Sequence, residues 1–255
     1  VTDRIETHAV TAPDGVKLAC HRVGEGPAVL LLHGFLFNAR LNFFDTGIAE
    51  AIAAAGFSVI APDLRGHGDS GAPDDPALYP QDIIPSDARA VLDAFQIADF
   101  ALVGYSLGAR MAARMIANGA TPRRLVLAGM GDHGVLNVAR RQAHFEDLIR
   151  HGPAAANSKA GALVHAFMQK NNIQAGPALH VLASQRDTSP AELAQIACPT
   201  LVLCGVDDHD NGASGALARL IPSARLALTP GDHLSAAGKS EFRAALTEFL
   251  KGDLQ

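Results

Sequence analysis

The chain has 255 residues, 48% hydrophobic and 18% charged, with a formal net charge of -5. That length and composition specify one large folded domain and exclude a disordered chain. The mild acidity and the lack of a basic run argue against nucleic acid or an anionic membrane as partner, and no apolar run approaches the roughly 18 residues of a membrane span.

In chain order, the first residues carry neither the basic nor the apolar region of a signal peptide. The stretch 13-PDGVKLACHRV-23 combines a Pro-Asp-Gly turn with partial alternation, which predicts a hairpin at an antiparallel sheet edge. Then come short apolar runs at 28-AVLLL-32, 57-FSVIA-61, 100-FALVGY-105, 125-LVLAGM-130, 200-TLVLCG-205 and 225-RLALT-229. Most are continuously apolar, as expected of strands buried on both faces of a parallel sheet. Between them the spacing predicts helices over 42–55, 86–96, 107–118 and 235–250, the second starting at Ser86 directly after Pro85. Such alternation specifies a doubly wound α/β core. The stretch from about Gly134 to Ile196 breaks the rhythm. It has no strand-like run and predicts helices near 136–150, 158–170 and 190–196. The expected organisation is a core of 1–133 and 197–255 with a helical cap inserted at 134–196.

The three cysteines, Cys20, Cys198 and Cys204, are odd in number and contain no CxxC pair, so they are expected to be reduced, buried thiols of a cytoplasmic protein. Their spacing does not suit a zinc site. Motifs for dinucleotides, nucleoside triphosphates or a zincin metal are missing, so no cofactor and no metal is expected.

Chemistry points to 104-GYSLG-108. A buried run leads in and a helical run leads out, which puts Ser106 at a sharp strand-to-helix turn. Only small neighbours fit two residues to either side, and Gly104 and Gly108 meet that need. The helix N-terminus then aims N–H groups at the serine. After 28-AVLLL-32 comes 33-HGF-35, where Gly34 lets backbone approach a ligand. The N–H groups of Phe35 and Leu107 are candidate oxyanion donors. A serine hydroxyl needs a base, itself oriented by a third group. Candidates follow two later strands: Asp207 and Asp208 after the run ending at Gly205, and His233 after 225-RLALT-229. The order Ser106, Asp208, His233 is that of the nucleophile-elbow hydrolases.

These motifs together resemble the α/β-hydrolase superfamily, in its serine branch with a small helical cap. Besides the serine, acid and histidine turns, 14-DGVKLACHRVGEGPAVLLLHGF-35 resembles the family's opening strands and 63-DLRGHGDS-70 its next loop. The resemblance covers nearly the whole chain, the cap least. It implies an eight-stranded, mostly parallel sheet with helices on both faces. It also implies Ser106 as nucleophile, His233 as base and Asp208 as acid, with Asp207 and Asp132 as rivals for the acid. His33 and His67 read as structural, and His144, His151, His165 and His180 as surface or cleft-lining.

The implied reaction is acyl transfer to water from a small or medium carboxylic ester, lactone or thioester. A carbon–carbon bond hydrolase is the alternative, and a ligand receptor on the same fold is a third reading. Haloalkane dehalogenases and soluble epoxide hydrolases of this fold carry aspartate at the elbow, so Ser106 argues against those activities. Phe35, Phe37, Phe43 and Phe44 favour an apolar acyl group, or Phe43 and Phe44 pack the following helix. No clustered Arg or Lys near the motifs suggests a polyanionic substrate, and Arg123 and Arg124 are expected to be solvated, away from the site.

Overall fold

The computed structural model describes residues 5–252. Residues 1–4 and 253–255, assigned to the core from sequence, lie outside the described residues. Eight strands form one sheet: β1 (Glu6–Thr11), β2 (Lys17–Val23), β3 (Ala28–Leu32), β4 (Ser58–Pro62), β5 (Phe100–Tyr105), β6 (Leu125–Ala128), β7 (Thr200–Gly205) and β8 (Ala224–Thr229). Their order is β1-β2-β4-β3-β5-β6-β7-β8. β1 pairs with β2, and β2 with β4, antiparallel; the remaining pairings are parallel. The hairpin predicted from the Pro-Asp-Gly turn is the β1–β2 edge.

The central strands are buried along their whole length because they are covered on both faces. Leu30, Leu102, Leu125 and Val202 pack to one side; Val29, Val103, Val126 and Leu201 pack to the other. Burying each such side chain contributes roughly 1.5–3 kcal/mol. β8 is the sheet's other edge and leaves Leu226 and Leu228 exposed.

The helices are α1 (Ile48–Ala54), α2 (Ile83–Ala94), α3 (Leu107–Ala117), α4 (Asp132–Leu136), α5 (Val138–His151), α6 (Ser158–Lys170), α7 (Ala175–Ala183), α8 (Pro190–Ala194), α9 (Ser214–Leu220) and α10 (Ser240–Lys251). Several bounds differ from the sequence expectation. The helix expected over 42–55 is a π-helical turn, Arg40–Phe44, followed by α1; Gly47 at φ 73° separates them. α2 begins at Ile83 rather than Ser86. Pro85 is tolerated in the first turn, where its missing N–H has no intrahelical partner to lose. α10 starts at Ser240, after a 3-10 turn at Ala236–Gly238. α7 is a helix beyond those expected from sequence; its Gly176 and Pro177 both fall in the first turn, where they are tolerated.

The stretch between β6 and β7 contains no strand; its regular elements are the helices α4 to α8 and a 3-10 turn at Gly152–Ala154, and the boundary expected at 134 falls inside α4. Two arginines of α3 tie this segment to the core. Arg110 is buried and donates to the Gly134 carbonyl at 2.5 Å and to the Gln185 side-chain oxygen. Arg114 donates to both Asp82 oxygens at 3.0 and 2.7 Å and to Glu192 at 2.9 Å. The far side of the segment packs on the loop after β3. Leu36 lies in one buried cluster with Ile149, Met168, Ala178 and Leu182.

Other expectations change in detail. Cys20 and Cys204 are buried, whereas Cys198 is only half-buried, since it lies in the loop before β7 begins. Arg123 is exposed, as expected, and pairs with Asp99 at the surface, whereas Arg124 is half-buried with its guanidinium 5.4 Å over the Phe249 ring. Phe43 and Phe44 sit in the core against α1 and α10, the packing role anticipated as one of two readings.

Candidate active site

Ser106 stands between β5 and α3 with φ 54° and ψ -111°, a backbone region that side chains with a Cβ rarely adopt. Such a residue costs of order 1–3 kcal/mol and persists only where its surroundings impose it. The sequence supplies that imposition. A Cβ at Gly108 would overlap the Leu32 carbonyl, and one at Gly104 would overlap the Gly108 carbonyl. The turn can therefore be drawn tight against β3. Ser106 N–H donates to Ala128 O at 2.8 Å, which ties the turn to β6.

At the ends of β7 and β8 lie the other two groups. His233 Nε2 is 3.0 Å from Ser106 Oγ, and His233 Nδ1 is 2.9 Å from Asp208 Oδ2. Asp208 is buried. With the carboxylate accepting from Nδ1–H, the neutral imidazole offers its Nε2 lone pair to the serine hydroxyl. The rival acids stand elsewhere. Asp207 is exposed, with its N–H on Gly231 O. Asp132 Oδ1 accepts the N–H groups of His133 and Ala213 at 2.9 and 2.8 Å, so it closes a loop.

The loop after β3 lies beside the serine. A Cβ on Gly34 would sit 3.5 Å from Ser106 Cβ. His33 is buried; its Nδ1–H donates to Gly34 O at 2.8 Å and its Nε2 accepts Leu64 N–H at 2.9 Å. Both nitrogens are thus committed, and burial lowers the imidazole's proton affinity further. His67 donates from Nδ1 to Arg65 O, and burial pushes its pKa down to about 3. Both histidines hold loops, as the sequence suggested. Among the described residues, no protein acceptor takes the N–H of Phe35 or of Leu107, and both belong to segments packed at the serine.

Two contributors escaped the sequence reading. Asn42 accepts Gly34 N–H on its Oδ1 at 2.8 Å, fixing the loop that carries Phe35. No sequence signal marks it. Tyr105 donates its hydroxyl to the carbonyl of His233 at 2.7 Å, which anchors the histidine loop. Its position inside the GYSLG motif was the available signal. The loop 63–70 is fixed by Arg65, whose buried guanidinium pairs with Asp14 and Asp87 at 2.5 and 2.7 Å.

Of the remaining histidines, His151 pairs with Asp147 at 2.8 Å, His165 with Ile149 O at 2.8 Å and His180 with Asp74 at 3.1 Å. His144 lines a cavity beside the acid loop. His21, Asp63 and Asp69 bring ligand-type atoms within 4.8 Å of one another. Asp63 already accepts the N–H groups of Ala39 and Asp69 on its two oxygens, so the group serves loop geometry. Among the described residues, no helix is long and apolar enough to cross a membrane.

A profile of the alpha/beta hydrolase family matches residues 29–242. The chain belongs to this family. Among curated alpha/beta hydrolase relatives, an epoxide hydrolase from Caballeronia sordidicola is 41% identical over 98 residues, covering 38% of this chain and 29% of that protein. A 2-succinyl-6-hydroxy-2,4-cyclohexadiene-1-carboxylate synthase from Serratia proteamaculans is 32% identical over 221 residues, covering 75% of this chain and 82% of that one. The match to the first of these relatives thus spans under a third of its length. A hydrolase from Pseudomonas aeruginosa superposes with a TM-score of 0.77 at 24% identity, covering 98% of each chain, which speaks for the fold.

Proposed function

We propose that this alpha/beta hydrolase is a serine hydrolase that cleaves a small or medium carboxylic ester through an acyl-enzyme. The observation that carries the reading is the continuous chain Ser106 Oγ, His233, Asp208, at 3.0 and 2.9 Å. His233 removes the serine proton as Oγ attacks the ester carbonyl. Asp208 holds the imidazole and stabilises the imidazolium. The N–H groups of Phe35 and Leu107 receive the tetrahedral oxyanion, each contributing roughly 3 kcal/mol of barrier lowering. His233 then protonates the leaving alcohol, and water activated by the same base releases the acid.

Epoxide opening is not carried over from the relatives of that name, because position 106 offers a hydroxyl rather than a carboxylate. Residues 134–196 act in this reading as the cap. Its aromatic contacts favour that role: Phe35 meets Phe145 edge-on at 5.0 Å, and Phe37 stacks on Phe167 at 5.4 Å. These rings give the acyl group an apolar wall next to the oxyanion donors.

The test is rapid mixing with p-nitrophenyl acetate. A burst of nitrophenol close to one per active site, abolished in Ser106→Ala, is the expected result. Absence of acylation of Ser106 across acetyl, butyryl and hexanoyl esters would defeat the reading.

A further inference from the structure

The sequence shows no cluster of basic residues around the motifs, but the fold builds one. A cavity of about 540 Å³ opens between the start of α5 and the loop after β7. Its walls carry Arg140 and Arg141 from α5, together with His133, His144 and His209, against a single lining carboxylate, Asp210. Arg141 touches Asp210 at 3.3 Å, and Arg140 donates to His133 Nδ1 at 3.4 Å. Each guanidinium has five N–H donors, so these contacts leave most of them free to turn toward a ligand. Arg110 lies behind the wall, with its donors on Gly134 O and on the Gln185 side-chain oxygen. Both of those partners are neutral, so its buried charge adds to the positive potential. The other nearby carboxylates have partners of their own: Asp132 the N–H groups of His133 and Ala213, with its Oδ2 4.0 Å from His133 Nε2, Asp187 the N–H of Val138, and Asp208 the His233 ring.

The cavity adjoins the triad. His209 and Asp210 directly follow Asp208, and Arg141 lies 4.7 Å over the Phe145 ring, which contacts Phe35. Phe145 thus bridges the arginine wall of the cavity and the loop that carries Phe35. We propose that this cavity receives a carboxylate borne by the acyl part of the substrate, which makes the substrate class the hemiesters of dicarboxylic acids. A single negative charge fits the wall, because Asp210 already offsets the charge of Arg141 at 3.3 Å and leaves the exposed Arg140 guanidinium to balance one carboxylate. Arg140, the less committed guanidinium, supplies the paired N–H geometry that a carboxylate accepts.

The inference rests on the ester-hydrolase reading, and the experiment separates the two. The full chain is assayed for methanol release from monomethyl succinate, glutarate and adipate, each against the neutral methyl ester of matching length. The expected result is a preference of about tenfold or more in kcat/KM for the hemiester at one of these lengths, from a charge-assisted contact. Arg140→Gln and Arg141→Gln are expected to bring that ratio toward one by raising KM for the hemiester. Arg140 is exposed, so its variant tests the site without threatening the fold. Neutral and charged esters turned over equally at every length, or a ratio unchanged in both variants, would overturn the inference while leaving the esterase reading standing. If no ester is cleaved, the esterase reading fails, and calorimetric titration with free adipate decides on the cavity. Binding weakened about tenfold in the two variants supports it; no binding, or equal binding, overturns it. Inorganic phosphate displacing adipate at equal concentration would overturn the choice of a carboxylate.

Discussion

Replacing Asp208 by Asn removes one oxygen's charge and leaves the shape of the site nearly unchanged. In the wild type the carboxylate accepts the Nδ1 proton of His233 at 2.9 Å, with Asp208 buried. An amide can instead turn its NH₂ toward Nδ1. The imidazole then carries its proton on Nε2, pointing at a hydroxyl 3.0 Å away that needs a base. Both the tautomer and the stabilisation of imidazolium are lost. In comparable triads this costs about 10⁴ in kcat, equivalent to about 5.4 kcal/mol of barrier at 1.36 kcal/mol per decade. KM should change little, since Asp208 meets His233 on the ring nitrogen that faces away from Ser106. The assay is steady-state hydrolysis of p-nitrophenyl butyrate with a burst measurement, beside Asp132→Asn as a control. Asp132 caps two backbone N–H groups, so that control should lose about 1 kcal/mol of stability and little activity. The reasoning is refuted if Asp208→Asn keeps more than a tenth of wild-type kcat, or if Asp132→Asn falls as far.

Tyr105→Phe leaves the His233 carbonyl without its 2.7 Å donor, and kcat is expected to drop about five- to tenfold with KM steady, read from initial rates. Removing the Cβ in Ser106→Gly relieves the strain at φ 54°, so urea melts should find that variant about 1 kcal/mol more stable than Ser106→Ala, after glycine's entropic cost is deducted. Arg65→Met strands two carboxylates, Asp87 in the buried interior, and should cost about 3–5 kcal/mol in the same melts. His67 is held neutral with a pKa near 3, against about 6.5 when unfolded, so the unfolded chain binds the extra proton between those values. Its stabilisation is complete above about pH 6.5 and is lost as pH falls toward 3; thermal melts from pH 7 to 4 should therefore decline less steeply in His67→Gln than in wild type.

The sheet was legible because burial on both faces writes continuous apolar runs into β3, β4, β5, β6 and β7. Ser106 and Asp208 were legible as candidates because they lie one and three residues past such runs, and His233 because it lies four residues past the half-exposed run of β8. What stayed hidden depends on pairs far apart in the chain. Arg141 and Asp210 are 69 positions apart, and Tyr105 and His233 are 128 apart. Neither partner has a local pattern that names the other. Asn42 looked like one polar residue in an aromatic stretch, and only the path of the chain shows its amide oxygen at Gly34 N–H. The helix α7 is not among those the sequence predicts. Its stretch carries Gly176 and Pro177, residues that disfavour a helix interior yet are tolerated in the first turn they occupy.

The two arginines of α3 have a consequence for rebuilding this enzyme. Arg110 and Arg114 hold the helical segment near both its beginning and its end, at Gly134, Gln185 and Glu192. Both arise from the helix that Ser106 starts. A transplanted segment would thus need sockets for those guanidinium groups, or it would leave two buried cations stranded one and two turns from Ser106. Exchange of substrate preference between relatives is easiest along α5 to α7, between those anchor points, where sequence can vary without loosening the root.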